Sequence, residues 1–410
     1  MSGRAFDFGS LFAPGPAPAA GRFSGFPRYN FVGGHNDPDA VPVDDLIAAA
    51  SSVLAREGRT LATYGLQSGP QGYRPLREFI CRKVAARGEI QCGPDDILVT
   101  SGSLQGLDLV NEVLLQPGDT VLTEQLTYGG ALTRLARKGV EVVGIPLDEE
   151  GLRVDALRAT LEELRRRGVR PKFLYTIPTV QNPTGAIMGL ERRRAVLAAA
   201  AEYDIAIFED ECYADLVWSG ERPPALRALD TDGRVVHIGS FSKSIAPALR
   251  TGYVVADWPV MSRLLACKSD GGSAALEQMV LAEFCARHFD AHVETLNQGL
   301  QVKLQALVDA LGEQFGTAAE FTVPPGGIFL WLTLPAEVDT AALAPKALAE
   351  GIAYNPGPEW STDAAPARHS LRLCFAHPSV EAIRDGVARL AEVCRRETGV
   401  PERIANVDRS

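Results

Sequence analysis

Cysteine is scarce and unpaired: seven residues in 410, an odd number with no CxxC spacing. Neither a disulfide framework nor a zinc knuckle is indicated, and reduced thiols in a cytoplasmic setting are expected. Positive charge is also in deficit. Lys and Arg number 41 against 51 Asp and Glu, a formal net charge of −10, whereas a nucleic-acid surface needs a basic stripe. No nucleic-acid partner is therefore expected. Arg165-Arg166-Arg167 reads as a helix end favoured by the helix dipole, and Arg192-Arg193-Arg194 as a solvated helix face. No apolar run approaches the ~20 residues of a membrane span, so no membrane partner is expected either. His288 and His292 stand four residues apart without the glutamate of an HExxH motif. They predict a polar helix face, and no metal is expected.

What is present is an ordinary globular composition: 46% hydrophobic and 22% charged residues, over a length that favours two or three domains. The first residues are rich in Gly, Pro, Ala and Phe but lack a basic segment leading into an apolar core. They read as a flexible arm, residues 1–30, rather than a signal peptide. Asp44 and Asp45 in a first turn and Gly58 as a stop predict a helix over Val43 to Glu57. Residues 31–60 are expected to pack with a small domain.

From about residue 75 to 260, β-branched runs alternate with helical stretches. The strand candidates are Asp96–Thr100, Thr120–Glu124, Glu141–Ile145, Lys172–Ile177, Ile205–Glu209, Val235–Ser240 and Thr251–Val255. Helices are expected near Pro75–Arg87, Leu104–Leu115, Gly130–Lys138, Val154–Arg167 and Leu190–Tyr203. This alternation predicts the α/β class, a mainly parallel seven-stranded sheet covered on both faces, as a large domain over 61–300. A long helical region from Pro259 to Phe315 follows, broken at Asp270-Gly271-Gly272. Runs at Gly327–Leu332, Ile352–Tyr354 and Ser370–Phe375, closed by a helix from Val380 to Arg396, predict a smaller α+β domain over 301–398. A loose tail over 399–410 completes the reading.

Ligands of open α/β sheets gather at the carboxyl ends of the strands, and the polar residues there converge. Ser101-Gly102-Ser103-Leu104-Gln105-Gly106 opens a helix after the first strand, a place where backbone N–H groups suit an anion. Tyr128 follows the second strand and could stack on a flat ring; packing alone would also account for it. Asn182 sits in the turn Pro178–Gly185. Asp210 ends a buried strand, with Tyr213 three residues on. A carboxylate there needs a cation or good hydrogen bonds. Lys243 lies in Ser240-Phe241-Ser242-Lys243-Ser244-Ile245-Ala246-Pro247-Ala248-Leu249-Arg250, directly after an apolar strand. A desolvated lysine amine loses its charge readily and becomes a nucleophile for carbonyl groups.

Ile177-Pro178-Thr179-x-Gln181-Asn182-Pro183-Thr184-Gly185, together with Ser240-x-Ser242-Lys243-x-x-Ala246-Pro247-x-Leu249-Arg250, resembles the fold-type I pyridoxal phosphate (PLP) enzymes. The resemblance is to class I/II aminotransferases, in the branch of 2-aminoadipate and kynurenine aminotransferases, and runs from about Tyr64 to Pro378. It implies an aspartate aminotransferase-like fold with PLP as cofactor. Lys243 would form the Schiff base and carry the proton. Asp210 would keep the pyridine nitrogen protonated, Asn182 and Tyr213 would bond the ring oxygen, and Tyr128 would stack on the ring. Ser103, Leu104, Gln105, Ser240, Ser242 and Arg250 would bind the phosphate. Tyr64 matches the tyrosine that reaches the phosphate of a neighbouring subunit, which implies a homodimer with shared active sites. Arg372 would fork the substrate α-carboxylate, with Asn182, Gly34 and His35 beside the substrate.

Two segments depart from the family pattern. Gly33-Gly34 is followed by the polar His35-Asn36-Asp37-Pro38-Asp39, which would either line the pocket against a polar substrate group or form a solvated turn. Trp360 stands where a smaller aromatic is usual. Both touch substrate choice. Transamination of an L-amino acid to a 2-oxo acid is the expected reaction. The alternatives are γ-elimination or replacement, carbon–carbon bond formation on a substrate such as S-adenosylmethionine, and oxidation or cyclisation of an arginine-like amino acid. A non-catalytic effector-binding regulator is a further alternative. That class carries a DNA-binding domain in front, where this sequence shows only an arm before Phe26.

Overall fold

The structure is a computed structural model that describes residue 8, residues 11–12 and residues 19–401. Part of the predicted arm (residues 1–7, 9–10 and 13–18) and of the predicted tail (residues 402–410) lies outside the described residues.

The short apolar runs pair with one another because strands buried on both faces hide their backbone polar groups only in a ladder. In chain order they are β1 (Ile97–Ser101), β2 (Thr120–Glu124), β3 (Glu141–Ile145), β4 (Phe173–Thr176), β5 (Ala206–Asp210), β6 (Val235–Ser240) and β7 (Thr251–Val255). They form one seven-stranded sheet in the order β1-β7-β6-β5-β4-β2-β3. Four of the six pairings are parallel and two are antiparallel. The helix-length crossovers give parallel pairs, and the short β6–β7 link turns β7 antiparallel to both neighbours.

The crossover helices are α3 (Gly102–Leu114), α4 (Gly129–Lys138), α5 (Val154–Arg166) and α6 (Leu190–Glu202); α1 (Val43–Glu57) and α2 (Arg74–Gly88) precede the sheet. After the sheet come α7 (Trp258–Cys267) and α8 (Ala275–Phe315). The smaller unit is built on β8 (Phe329–Thr333) and β9 (Ser370–Cys374), antiparallel to each other, with α9 (Thr340–Ala349) and α10 (Val380–Thr398).

Helix α8 has 41 residues, about 60 Å of continuous helix, and belongs to two cores. Met279, Phe284 and Phe289 pack with Phe79, Phe241 and Ile97 against the large sheet. Leu300, Leu307 and Phe315 pack with Phe329, Leu371 and Val387 of the smaller unit. The helix is unbroken through residue 300, where the sequence suggested a domain limit. Tyr29 and Phe31 join the smaller unit's core, and Ala49 and Val53 the other.

Arg193 corrects the reading of its triplet as a solvated face. It is fully buried, and its guanidinium donates to Met188 O, Pro178 O, Pro224 O and Thr179 Oγ1 beside Glu211. His288 is exposed and stacks on Phe284, while His292 Nε2 donates to Ser244 O at 2.9 Å. Among the described residues no group of three or more His, Cys, Asp or Glu could hold a metal ion, and no helix is long and apolar enough to cross a membrane.

Candidate active site

The carboxyl ends of β1, β4, β5 and β6 open into one cavity of about 280 Å³ whose far wall comes from the smaller unit. Ser103, Leu104, Tyr128, Asn182, Asp210, Tyr213, Ser240, Ser242, Lys243, Arg250, Gly34 and Arg372 all line it, although they span 339 positions of sequence. Val32, Ile177, Cys212, Asn355 and Trp360 complete the wall.

Each side chain has a local reason for its place. Gly102 opens α3 in the left-handed region, φ +70°, and a Cβ there would collide with the Arg250 guanidinium. Glycine thus lets Arg250 lie against the helix start, where unpaired N–H groups and the helix dipole favour an anion. Arg250 itself is left-handed (φ 47°) and donates to Pro247 O and Ser101 O. Ser240 Oγ accepts from Ser242 N at 3.0 Å, which turns the chain after β6 and brings both serines to the cavity.

Asp210 is 5% exposed, and burial raises its pKa. Tyr175 Oη donates to Oδ2 at 2.7 Å and Cys212 N to Oδ1 at 3.1 Å. No salt-bridge partner faces it among the described residues. The Asn182 turn is fixed from beneath. Gln181 Nε2 donates to Glu124 Oε2 (3.0 Å) and Leu126 O (2.7 Å), and its Oε1 accepts from Thr184 N. Glu124 is fully buried, and burial lifts its pKa to about 7. Lys243 Nζ donates to Gly34 O at 2.8 Å, and burial of the amine lowers its pKa. A Cβ on Gly34 would collide with that amine.

Arg372 is 3% exposed on β9. Its guanidinium lies 3.7 Å from the Trp360 ring centre and 4.8 Å from that of Phe329. Nη1 donates to Asn182 Oδ1 (3.0 Å), and Nη2 to Asn355 Oδ1 (2.8 Å) and Gly33 O (3.0 Å); Nε is buried without a partner. A buried cation held only by neutral acceptors is matched to an incoming anion.

Three of the sequence-nominated residues lie elsewhere. Gln105 turns back: its Oε1 accepts from Ser101 N at 2.8 Å and its Nε2 donates to Asp270 at 2.5 Å. Tyr64 is 93% exposed on the outer surface, beside Gly271. His35 points away from the cavity into a cluster with Phe26 (5.1 Å) and His377 (5.7 Å). The segment after Gly34 does not line the cavity, and only its end, Pro38 and Asp39, is a solvent-exposed turn. Asn36 is buried and Asp37 pairs with Lys303 at 2.6 Å. In the sequence Tyr175 and Asn355 had no role of their own and Asn36 stood only as part of the polar segment after Gly34, because each acts through a partner in another element.

The donor set fits PLP. Serines, an arginine and a helix start suit its phosphate, a buried carboxylate without an ion-pair partner suits a protonated ring nitrogen, and a buried amine of lowered pKa suits its carbonyl. Fold and site together define a PLP-dependent transferase of fold type I.

Comparison with known proteins narrows this. Residues 33–390 match the family "Aminotransferase class I and II", and the chain belongs to it. Aromatic-amino-acid aminotransferase 1 of Thermococcus litoralis is 35% identical over 90% of this chain and 88% of its own. The structure of the α-aminoadipate aminotransferase LysN of Thermus thermophilus, solved with N-(5'-phosphopyridoxyl)-L-leucine, has a TM-score of 0.81 at 32% identity, covering 90% of this chain and 92% of that one. The HTH-type transcriptional regulator YdfD of Bacillus subtilis, itself uncharacterized, is 34% identical over 84% of this chain and 70% of its own length. The chain is a PLP-dependent aminotransferase.

Proposed function

We propose that this cavity transfers the amino group of an L-α-amino acid to a 2-oxo acid, with Lys243 as the catalytic base. The carrying observation is that a buried amine of lowered pKa and a buried arginine without a carboxylate partner face the same small cavity. Bound PLP supplies a carbonyl for amines and a ring that withdraws electrons from the substrate Cα. Asp210 would hold positive charge at the ring nitrogen. Asn182, whose Oδ1 is occupied by Arg372, keeps its Nδ2 for the ring oxygen together with Tyr213. Ser103, the Leu104 N–H, Ser240, Ser242 and Arg250 would hold the phosphate, and Tyr128 would contact the ring. Gln105 supports this cup by accepting from Ser101 N. Arg372 would fork the α-carboxylate and so orient the Cα–H toward Lys243, whose buried amine of lowered pKa would take that proton.

The substrate side chain then faces Val32, Tyr128 and Trp360. The lining cations are Lys243, Arg250 and Arg372, and each has a task already. The walls favour an apolar or aromatic side chain on at least one of the two substrates.

Val43, Ile47 and Leu54 form an exposed apolar row on α1, near exposed Leu61 and Tyr64. We assign this face to a homodimer in which Tyr64 reaches the partner's phosphate site. The seven cysteines are free thiols, which agrees with a cytoplasmic setting. The decisive experiment mixes holoenzyme with single amino acids, S-adenosylmethionine and arginine included, without any oxo acid. Release of the matching oxo acid with formation of pyridoxamine phosphate is expected. Loss of a γ-substituent or consumption of dioxygen would overturn the assignment.

A further inference from the structure

Residues 31–37 run from the smaller unit across the cavity mouth to the turn that carries Lys243. Phe31 N donates to Ala353 O and Phe31 O accepts from Cys374 N, both at 2.9 Å, which ties the segment to the smaller unit. Gly33 O and Gly34 O accept from Arg372 and Lys243. Asn36 then enters the large unit. It is 8% exposed, and its Nδ2 donates to Lys243 O at 3.3 Å and to Ile245 O at 3.2 Å.

The primary sequence explains why these carbonyls need a donor from outside. Phe241 O accepts from Ile245 N at 2.9 Å, so the turn begins as one turn of helix. The next helical donor to Lys243 O would be residue 247, which is proline and has no N–H. Leu249 N, four residues beyond Ile245, bonds Ala246 O instead. Both N–H groups of one amide thus replace the backbone donors that the Lys243 turn lacks. Asn36 Oδ1 is buried without a donor, so the amide is held by these two bonds in one orientation.

We propose that Asn36 is a positioning residue for Lys243: its amide fixes the main chain of residues 243–245 and so aims the lysine stem. This rests on the reading of Lys243 as the catalytic base. The adjacent Asp37 supplies an internal control. It pairs with Lys303 on α8 at 2.6 Å, and no hydrogen bond joins its side chain to the lysine turn.

The test uses holoenzymes of Asn36→Ala, Asn36→Ser and Asn36→Asp, with Asp37→Asn as control. Ala removes both donated bonds, Ser keeps one donor, and Asp sets a carboxylate oxygen against two carbonyl oxygens. A misaimed base slows proton transfer, so kcat should fall by about tenfold or more in Asn36→Ala, less in Asn36→Ser and most in Asn36→Asp. KM should stay within about threefold, because the substrate-binding groups are untouched. The isotope effect on kcat with α-deuterated substrate should rise, and the pH titration of the lysine-bound cofactor absorbance should shift. Asp37→Asn should leave the isotope effect and the titration as in wild type. Unchanged isotope effect and titration in Asn36→Ala would overturn the proposal, as would the same changes appearing in Asp37→Asn. If Asn36→Asp does not fold, Asn36→Ser alone decides by the same two readouts. Absence of any borohydride-fixed adduct on Lys243 in the wild type would instead overturn the reading of Lys243 itself.

Discussion

At the scale of single residues, two cations dominate the site, and burial acts on each. The Lys243 amine is held below its ordinary pKa by burial, with Arg372 and Arg250 adding to the effect. A lowered lysine pKa means a larger neutral fraction near pH 7, so adduct formation with PLP should persist at pH values where a free lysine, pKa about 10.4, is fully charged. Borohydride trapping across pH in the apoprotein should give a midpoint on the acid side of that value, and Lys243→Ala should give no adduct. A midpoint at the free-lysine value would show the amine to be solvated. Arg372 is different, because its guanidinium lies against two rings, Trp360 at 3.7 Å and Phe329 at 4.8 Å. Trp360→Ala removes the closer ring and contact area against Tyr128, a change of about 0.5–2 kcal/mol. The expectation is a KM raised by several-fold to about thirtyfold, with PLP retained; loss of PLP in place of a KM change would refute it.

At the scale of elements, the boundaries follow from local chemistry wherever a helix or strand is long and regular. The spans of β2, β3, β6 and β7 and of α1 coincide with the apolar runs and stop signals in the sequence. Helix α9 was not legible because Pro345 lies inside it. It forms because Asp339 caps it, accepting from Ala341 N and Ala342 N, and because Leu343 and Ala347 pack on the smaller core. The start of α3 carries a sharper prediction. Gly102→Ala forces a side chain into a left-handed position that Arg250 occupies. Phosphate affinity, read as the PLP dissociation constant, should weaken by about tenfold or more if a charged hydrogen-bonded contact is lost. Unchanged affinity would remove Arg250 from the phosphate cup. Of the site, the strand-end residues were legible and the supporting ones were not. Tyr175 reads as a strand aromatic, and only its bond to Asp210 gives it a second task.

At the scale of the whole molecule, a buried ion pair ties the elements behind the cavity. Lys83 on α2 pairs with Asp215 at 2.9 Å, both nearly inaccessible, and donates to Tyr253 Oη on β7 at 3.1 Å. Burial opposes charge on Asp215, but the Lys83 ammonium outweighs it and holds the carboxyl below its ordinary pKa. A depressed carboxylate contributes stability above its unfolded pKa of about 3.9 and loses it as pH falls through the folded value. Lys83→Met should therefore cost about 3–5 kcal/mol by stranding Asp215. Lys83→Met with Asp215→Leu should recover most of it, as read by denaturant unfolding. A neutral single substitution would show that water reaches the pair.

The sequence by itself determined the α/β class and most strand ends, because β-branched runs and turn residues are local signals, and its two motifs pointed to the family. It could not show that Asn36 reaches Lys243, that Arg193 is buried, or that Trp360 covers Arg372. Those facts arise only when separate elements are packed together, and only there does burial turn an ordinary side chain into a fixed donor, cation or wall.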